Sequence, residues 1–503
     1  MGIKQLKPLL AKAAVLIFVF VLLLPGVPAL AQTAYSNEKF DKMAYVLMDL
    51  DSGKVLAQHD ADRRIYPAST TKLMTALLLM ENKGLEGETT VGTEINGMPT
   101  GSSLMRISVG EKVSVKDLFY GLMLCSGNDA ANTIGVYVSG SVDAFVALMN
   151  QRAAELGMAN THFNSAYGCF LNQDETAPIP EEKLGVNHYT TASDMAKLTL
   201  EAAKHPEILQ AGGTETYTLS ATNKNETREI ENSNPLVHNL KNHPEFDQFR
   251  YDYATGLKTG TVNNIVVEGN MIRSYGNVVA TAKKDDLSLA ALVFDDESES
   301  SSMQSYKRWS LAPDLFNYGF ANYAWVDMTP YISLVTLTRP VAPASGESIQ
   351  GNFEIESKNT TDIAKVLMDS ADAQSLKDGT VQIEKQIKVD DAIASSMHAG
   401  DTVGSVQYTL NGQEVCAADL VVKNLMLAQT HTADIQGGSA GAMPQPTGQA
   451  QADTGAPGWL LWVLIPAGGV GALFLVREIN LRRRKRRRRR RYQGLGSQTR
   501  RKL

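Results

Sequence analysis

Three short polar strings constrain the fold of this chain most, because the side chains they carry can act together only if distant parts of the chain meet. The strings are Ser69-Thr-Thr-Lys72, Ser126-Gly-Asn128 and Lys258-Thr-Gly260. The first opens a run of strong helix formers, the second follows an apolar run at a glycine break, and the third alternates small and β-compatible residues. A fold that unites them must bring a helix start, a turn and a strand to one place.

The first string predicts a nucleophile with a base beside it. Residues three apart share a helix face, so the Lys72 amine is expected next to the Ser69 hydroxyl. A desolvated lysine is a competent proton acceptor, and the free N–H groups of a helix start favour the anion that forms when a serine attacks a carbonyl. An N-cap serine followed by a surface lysine gives the same pattern, so this string is weak alone.

The second string places two polar side chains at one turn. A hydroxyl at Ser126 can pass a proton between Lys72 and a leaving amine, and the Asn128 amide can hold a peptide carbonyl or the lysine. An ordinary capped loop would have the same sequence.

The third string suits a strand that a ligand approaches closely. Gly260 leaves room for a ligand backbone, Lys258 contributes positive charge, and Thr259 and Thr261 contribute hydroxyls near a substrate carboxylate. Alone, this string is common, but the ordered occurrence of all three strings is not. Together they predict a serine acyl-transfer enzyme.

In this order the strings resemble those of the penicillin-binding proteins of the D-alanyl-D-alanine carboxypeptidase family. The likeness runs from about Ala44 to about Val422. It includes further stretches at 67–76, 156–158, 161–163, 188–196 and 317–320.

The resemblance implies a role for each residue of the strings. Ser69 would be acylated, Lys72 would be the base and Ser126 would relay the proton. Asn128 would position the substrate, and Lys258 would complete the electrostatic site. The oxyanion hole would be the backbone N–H groups of Ser69 and Thr261.

The family also has an arginine that precedes a Tyr-Gly-Phe element and binds the substrate's terminal carboxylate. Counting back from Phe320 places it at Arg308. Bidentate recognition of a free C-terminus would separate carboxypeptidase from endopeptidase action. A solvated basic pair, Lys307–Arg308, is the alternative.

Two stretches depart from the family pattern, and both are expected on the rim of the cleft. Asn164-Ser165 replaces the usual Asn-Pro pair, and a long segment follows through residue 187. The Ala-Gly pair usual after Lys-Thr-Gly is missing, and about ten extra residues are expected within 262–277. These differences bear on substrate shape rather than on acylation.

The two ends of the chain predict export and anchoring. Residues 1–31 combine lysines, an apolar run and Ala29-Leu30-Ala31, which is typical of a cleaved signal peptide, with an uncleaved anchor as the alternative. Residues 459–476 form an uncharged apolar stretch just long enough to cross a bilayer as a helix, and the basic tail of 477–503 suits the cytoplasmic side. The catalytic domain is therefore expected outside the cell membrane. Topology explains the basic run, so no nucleic-acid partner is expected.

The full organisation follows from these segments and from the resemblance. Residues 32–325 are expected to form an α/β (α+β) penicillin-binding, β-lactamase-like domain, in which an antiparallel sheet is flanked by helices and carries a helical subdomain. Residues 44–57 predict an N-terminal β-hairpin, and the strand around Lys258 is expected to pack beside this hairpin and the catalytic helix. Residues 326–425 are expected to form a small all-β domain with a hairpin at Asn411-Gly412. A polar linker, 426–458, precedes the transmembrane helix.

The three cysteines do not suggest a disulfide framework, and the eight histidines show no metal-ligand spacing. Cys125 is expected to be a buried structural thiol, and His188 is interpreted as structural. The sequence predicts neither a metal nor another cofactor.

The sequence thus predicts a membrane-anchored serine-type D-alanyl-D-alanine carboxypeptidase. It would remove the terminal D-alanine of peptidoglycan stem peptides through a Ser69 acyl-enzyme, and β-lactams would acylate the same serine. The alternatives are a β-lactamase, a D,D-endopeptidase and a non-catalytic peptidoglycan-binding or peptide-binding homologue. Endopeptidase action depends on whether Arg308 faces the cleft.

Overall fold

The computed structural model of the protein describes residues 35–98, 101–168, 179–180, 186–267, 271–298, 306–345, 350–358 and 365–427. The predicted signal peptide, transmembrane helix, basic tail and nearly all of the linker lie outside these residues. So do Cys169 and most of the departure that follows Asn164.

A six-stranded sheet forms the centre of the first part of the chain. Its strands are β1 (Ala44–Asp49), β2 (Val55–His59), β5 (Ile179–Pro180), β8 (Ala254–Val267), β9 (Met271–Lys284) and β10 (Leu287–Ser298), in the order β2-β1-β10-β9-β8-β5. All neighbouring pairs are antiparallel except β5 with β8. The predicted N-terminal hairpin is β1–β2. The Lys258 strand was expected beside this hairpin, but β9 and β10 lie between them, because β1 pairs with β10.

Seven α-helices accompany this sheet among the described residues. They are α1 (Lys72–Asn82), α2 (Val115–Met123), α3 (Asn128–Ser139), α4 (Val142–Glu155), α5 (Ala192–Ala202), α6 (Pro206–Gly213) and α7 (Lys307–Asn322). Short strands β3 (Glu88–Thr90) with β4 (Lys112–Ser114), and β6 (Thr216–Leu219) with β7 (Arg228–Glu231), form two small hairpins. We call this part, residues 35–322, the helix–sheet body.

Local sequence explains where these helices begin and end. The side chains of Ser114, Ser141 and Thr191 accept hydrogen bonds from backbone N–H groups in the first turns of α2, α4 and α5. Helix α3 ends at Gly140, whose φ of 81° is in the left-handed region that glycine adopts without strain. Nearly all of α1 is buried, since apolar side chains surround it on both the sheet and the helical side.

The predicted second domain is mainly β but is not all-β. Its strands are β11 (Tyr323–Asp327), β12 (Thr336–Ala342), β13 (Gly351–Ser357), β14 (Lys365–Asp369), β15 (Glu384–Val389), β16 (Ile393–Ala394), β17 (Thr402–Leu410) and β18 (Gln413–Leu427). A helix, α8 (Ser370–Lys377), lies among them. The Asn411-Gly412 turn joins β17 to β18, and both residues have positive φ, as the sequence predicted. We call residues 323–427 the β-rich domain.

Hydrogen bonds and an ion pair join the helix–sheet body to the β-rich domain. The Lys54 ammonium donates to the carbonyl of Leu367 at 3.2 Å, and Lys365 lies 3.1 Å from Asp286. Strand β11 follows α7 directly and pairs with β14.

No single helix within the described ranges is long and apolar enough to cross a membrane. Helices α3 and α4 meet that criterion only as a pair, and they are bent by 83° at their break. The stretch predicted to span the membrane, 459–476, is not among the described residues.

Candidate active site

The predicted nucleophile lies on a short 3-10 turn, Ala68–Thr71, that leads directly into α1. Ala68, the residue before it, has a left-handed φ of 47°, a conformation that costs an L-residue about 1 kcal/mol and persists only where the surroundings impose it. The Asn277 amide donates to the Tyr66 carbonyl at 2.8 Å and to the Pro67 carbonyl at 3.1 Å. This sharp turn, fastened to β9, sets the direction of the Ser69 side chain.

The Lys72 amine lies where a base for Ser69 is needed. Its Nζ is 2.9 Å from Ser69 Oγ, 2.8 Å from Asn128 Oδ1 and 3.0 Å from the carbonyl oxygen of Tyr167, and the side chain is fully buried. A neutral amine has two N–H donors and one lone pair. In that neutral form, donors directed to the two carbonyl oxygens would leave the lone pair for the serine hydroxyl, whereas a charged amine donates to Ser69 Oγ.

The second string lies at the start of α3, opposite the nucleophile. Ser126 has a φ of 59° and is buried, and its hydroxyl has no hydrogen-bond partner among the described residues. It is therefore available to a bound molecule. Asn128 is the first residue of α3, and its backbone N–H donates to the Ser103 carbonyl at 2.8 Å.

The neighbouring carboxylate of Asp129 shapes the loop that lines this side of the cleft. It accepts hydrogen bonds from the backbone N–H groups of Met105, Arg106 and Ile107 at 2.8, 2.8 and 3.2 Å. Arg106 has a left-handed φ of 64°. The buried carboxylate thus compensates an unfavourable loop conformation next to the Ser126 turn.

Lys258, the first residue of the third string, has a buried side chain. Burial lowers the pKa of its amine well below the ordinary value, and the nearby Lys72 amine lowers this pKa further. Its Nζ donates to the carbonyl of Thr259 at 3.1 Å. Two buried amines that share one region disfavour each other's charge, so an anionic ligand beside them would be favoured.

Strand β8 crosses the nucleophile turn at Gly260. A Cβ at this glycine would lie 3.0 Å from the Pro67 carbonyl oxygen and 3.2 Å from the Ser69 nitrogen. The sequence predicted that Gly260 leaves room for a ligand backbone, and in the structure the backbone that lies against it is the turn that carries Ser69. This close approach brings Thr261, the second predicted oxyanion-hole residue, next to the turn that carries Ser69.

Arg308 is buried at the start of α7 and borders the same cleft. Its Nη2 donates to Thr261 Oγ1 at 3.4 Å, and its Nη1 lies 3.9 Å from Asp296 Oδ2. Burial lowers the pKa of Arg308 to about 10, against the opposing effect of Asp296, so the guanidinium stays charged at neutral pH. The solvated basic pair considered as an alternative does not describe this residue.

The cleft has a volume of about 600 Å³. Seven of the nine predicted site residues line it: Ser69, Ser126, Asn128, Thr259, Gly260, Thr261 and Arg308. Lys72 and Lys258 do not line it, because they lie buried behind the nucleophile and the strand. The structure therefore brings the three strings and the arginine together around one cavity.

Sequence reasoning missed four residues that shape this site. Ser233 Oγ is 2.9 Å from Thr259 Oγ1, and Trp309 has its ring 4.5 Å from the Arg308 guanidinium carbon. Asp296 accepts a hydrogen bond from the Arg308 backbone N–H, and Gly276 borders the guanidinium. Only their place in the fold connects them to the strings, and no pattern in the sequence marks them.

The remaining candidate residues have structural environments. Burial raises the pKa of the Cys125 thiol to about 11, so the thiolate is scarce at neutral pH. His188 is buried; its Nδ1 accepts from the Asn164 N–H at 3.0 Å, so its Nε2–H donates to Thr71 Oγ1 at 2.9 Å. Across the part of the chain that the structure describes, no three His, Cys, Asp or Glu side chains are grouped to hold a metal.

The second departure predicted on the rim lies on strands β8 and β9. Residues 262–277 were expected to contain an insertion, and here β8 continues to Val267 while β9 begins at Met271. The backbone of β5 pairs with this extension at Ile265 and Val266. The described residues of this stretch therefore prolong the sheet.

Comparisons with known proteins agree with this geometry. The peptidase S11 family, described as D-alanyl-D-alanine carboxypeptidase, matches residues 31–298, just over half of the chain. The D-alanyl-D-alanine carboxypeptidase DacF of Bacillus subtilis is 28% identical over 385 residues, which cover 76% of this chain and 85% of the relative. The D-alanyl-D-alanine carboxypeptidase DacC of Escherichia coli is 28% identical over 411 residues, which cover 78% and 87%.

Among solved structures, penicillin binding protein 5 from Haemophilus influenzae is similar in fold. It has a TM-score of 0.54 at 22% identity, and the match covers 76% of this chain and 97% of that protein. The likeness supports a fold with mixed helices and sheets of the penicillin-binding type.

Proposed function

Because the chain belongs to the peptidase S11 family of D-alanyl-D-alanine carboxypeptidases, we propose that it removes the terminal D-alanine of peptidoglycan stem peptides through an acyl-enzyme on Ser69. The enzyme is a serine-type hydrolase. The observation that carries the residue assignment is the contact of Lys72 Nζ with Ser69 Oγ at 2.9 Å, made by a fully buried amine that two carbonyl oxygens hold in place.

Acylation follows from this contact. Lys72 accepts the hydroxyl proton as Ser69 Oγ forms a bond to the carbonyl carbon between the two D-alanines. The backbone N–H groups of Ser69 and Thr261 stabilise the oxyanion. The Ser126 hydroxyl passes the proton to the leaving nitrogen, the C–N bond breaks and D-alanine departs. A water molecule, deprotonated by the same amine, then hydrolyses the ester and restores Ser69.

The charges at the cleft account for the choice of a peptide end. A free D-alanine carboxylate would meet Thr259 and Arg308, which line the cleft, and the buried Lys258 amine lies behind them. Because the Arg308 guanidinium borders the cleft, we favour carboxypeptidase over endopeptidase action. A β-lactam carries a strained amide and a carboxylate of similar placement, so it would acylate Ser69 in the same way.

The test measures D-alanine release from a stem pentapeptide by the full-length protein in detergent, with Ser69→Ala as the matched variant. Release that is lost in Ser69→Ala, together with the loss of labelling by a fluorescent penicillin, supports the proposal. Release that persists in the variant contradicts the role of Ser69, and no release by a folded enzyme that still binds penicillin contradicts the carboxypeptidase assignment.

We further propose that residues 1–31 direct export and that 459–476 anchor the protein with its basic tail in the cytoplasm. The proposal rests on the apolar length of 459–476 and on the Arg-rich stretch 482–491 beyond it. Protease digestion of intact cells should remove the penicillin-labelled domain and leave a tag at the C-terminus protected. Protection of both would contradict this orientation.

A further inference from the structure

The guanidinium of Arg308 lies in a space that exists only because residue 276 has no side chain. A Cβ built on Gly276 would lie 1.2 Å from Arg308 Nη1 and 2.3 Å from its Cζ. Both distances are far below any non-bonded contact. The backbone of Gly276 does not have the positive φ that would by itself call for glycine. Space for the guanidinium is therefore the reason that glycine is needed here.

The position of Gly276 is fixed on both sides. It pairs with Thr261 on β8 and with Asp296 on β10, the same two residues that contact the Arg308 side chain. A Cβ at this point of a central strand cannot move away without breaking both pairings, because the direction of a Cβ follows from the backbone. The guanidinium would have to move instead.

The surroundings of the guanidinium are suited to an anion from the cleft. The Trp309 ring lies 4.5 Å from its carbon, and the carboxylate of Asp296 is 3.9 Å from Nη1, beyond hydrogen-bond distance. Within the part of the chain that the structure describes, Nε and Nη1 of this buried side chain lack a hydrogen-bond partner. Buried charged donors without partners are unfavourable, and a carboxylate is the group that satisfies a guanidinium best.

We propose that Gly276 is a specificity-determining residue. The space that it leaves holds the Arg308 guanidinium in a position to bind the free C-terminal carboxylate of the substrate, and the enzyme therefore requires that carboxylate. This inference rests on the proposed function. Gly276 acts through Arg308 and is a positioning residue. A residue with any side chain at 276 would convert the cleft to one that accepts peptides with or without a terminal charge.

The experiment compares two substrates, an N-acylated peptide ending in D-Ala-D-Ala and the same peptide with a C-terminal carboxamide. The ratio of kcat/KM for the free acid to kcat/KM for the carboxamide measures the requirement for the carboxylate. In the full-length protein, Gly276→Ala should lower this ratio about 10- to 100-fold, mostly through a higher KM for the free acid. A general structural defect would lower kcat/KM for both substrates together.

Two further variants make the test independent of whether Gly276→Ala folds well. In Arg308→Ala the space beside residue 276 is empty, so Gly276→Ala/Arg308→Ala should match Arg308→Ala in both the ratio and the melting temperature. Gly319→Ala is the matched control. Gly319 lies on the same helix as Arg308, and its new Cβ would be 2.5 Å from Leu289 Cδ1 in the apolar core. This variant should change the melting temperature but not the ratio.

A lower ratio in Gly276→Ala together with equality of the double and the Arg308 variants supports the inference. An unchanged ratio in Gly276→Ala overturns it, as does a double variant with a lower ratio or melting temperature than Arg308→Ala. If the unsubstituted enzyme releases no D-alanine from the free acid, the proposed function fails and this inference fails with it. Release with an unmoved ratio overturns the inference alone.

Discussion

The helix–sheet body and the β-rich domain bury very different side chains. In the helix–sheet body, Lys72, Lys258, Arg308 and Asp296 are almost fully buried. Among the described residues of the β-rich domain, Ser357 and Thr409 are buried, as are the tyrosines Tyr323 and Tyr408, but no carboxylate, amine or guanidinium joins them. Burial of charge opposes folding unless partners compensate it. The comparison indicates that the cleft is maintained against a stability penalty that the described part of the β-rich domain does not incur.

The largest effect should come from removing one of these buried amines. In Lys258→Met we expect kcat/KM for D-alanine release to fall about 10²- to 10³-fold, because an electrostatic group at the reacting centre is lost. The free energy of unfolding should rise by about 1–2 kcal/mol, because a desolvated amine is replaced by an apolar side chain of similar length. Kinetics and urea unfolding measure the two effects. Lys83→Met, at the exposed end of α1, is the control, and a less stable Lys258→Met would break the comparison.

In the β-rich domain, a core substitution is expected to lower stability and to leave activity unchanged, the reverse of the expectation for Lys258→Met. Leu420 is fully buried on β18, so Leu420→Ala should lower the free energy of unfolding by about 2–4 kcal/mol through a cavity. D-alanine release per folded molecule should stay unchanged. Leu425→Ala, where 42% of the residue is exposed on the same strand, should have little effect on either. Lost activity in folded Leu420→Ala would show that the two regions are not independent.

A variant of Asp129 tests whether a buried carboxylate holds the cleft wall in position without taking part in the reaction. Asp129→Asn leaves one acceptor oxygen for the N–H groups of three loop residues, so stability should fall by about 1–3 kcal/mol. A looser cleft wall should raise KM more than it lowers kcat. Thermal unfolding and steady-state kinetics measure these changes beside Asp143→Asn, an exposed carboxylate on α4. A fall in kcat at constant KM would contradict a positioning role.

The smallest effect is a pH dependence of stability. Burial lowers the pKa of His188 to about 3, and a second, smaller contribution comes from His162. The unfolded chain binds a proton below about pH 6.5, but the folded protein does not until about pH 3. The free energy of unfolding should therefore fall by about 1 kcal/mol between pH 7 and pH 5.5.

The variant His188→Asn isolates this contribution. It keeps an acceptor for the Asn164 N–H but cannot titrate, so the loss between pH 7 and pH 5.5 should shrink by about 1 kcal/mol relative to the parent. His398→Asn is the control, because the side chain of His398 is 85% exposed. Equal pH slopes for parent and His188→Asn would show that His188 is not the source.

Much of the site followed from the sequence because its parts lie in short strings. Ser69 and Lys72 are three residues apart on a helix start, which fixes their relation almost independently of the rest of the fold. Likewise, the turn at Asn411-Gly412 is set by two residues that accept positive φ. Local chemistry decides such features.

Other features depend on contacts between residues far apart in the chain, which the sequence alone does not indicate. Gly276 matters only because Arg308 lies across from it, 32 positions along the chain, and Asp296 only because β10 passes the start of α7. The order β1-β10-β9-β8 likewise overturned the expected neighbours of the Lys258 strand. Helix α8 was missed because an eight-residue polar segment between strands has little periodicity to read.

The pairing of β1 with β10 has a consequence for the order in which the protein forms. Ala44 lies opposite Phe294, so the central sheet closes only after most of the first 300 residues have been synthesised. Contacts of such long range form late, because the loop between them must close first. Ser69 and Lys72 leave the ribosome early. Strand β8, which lies against them, can pair only after β9 has also been synthesised. A growing chain therefore carries its nucleophile for a long time without possessing a working enzyme.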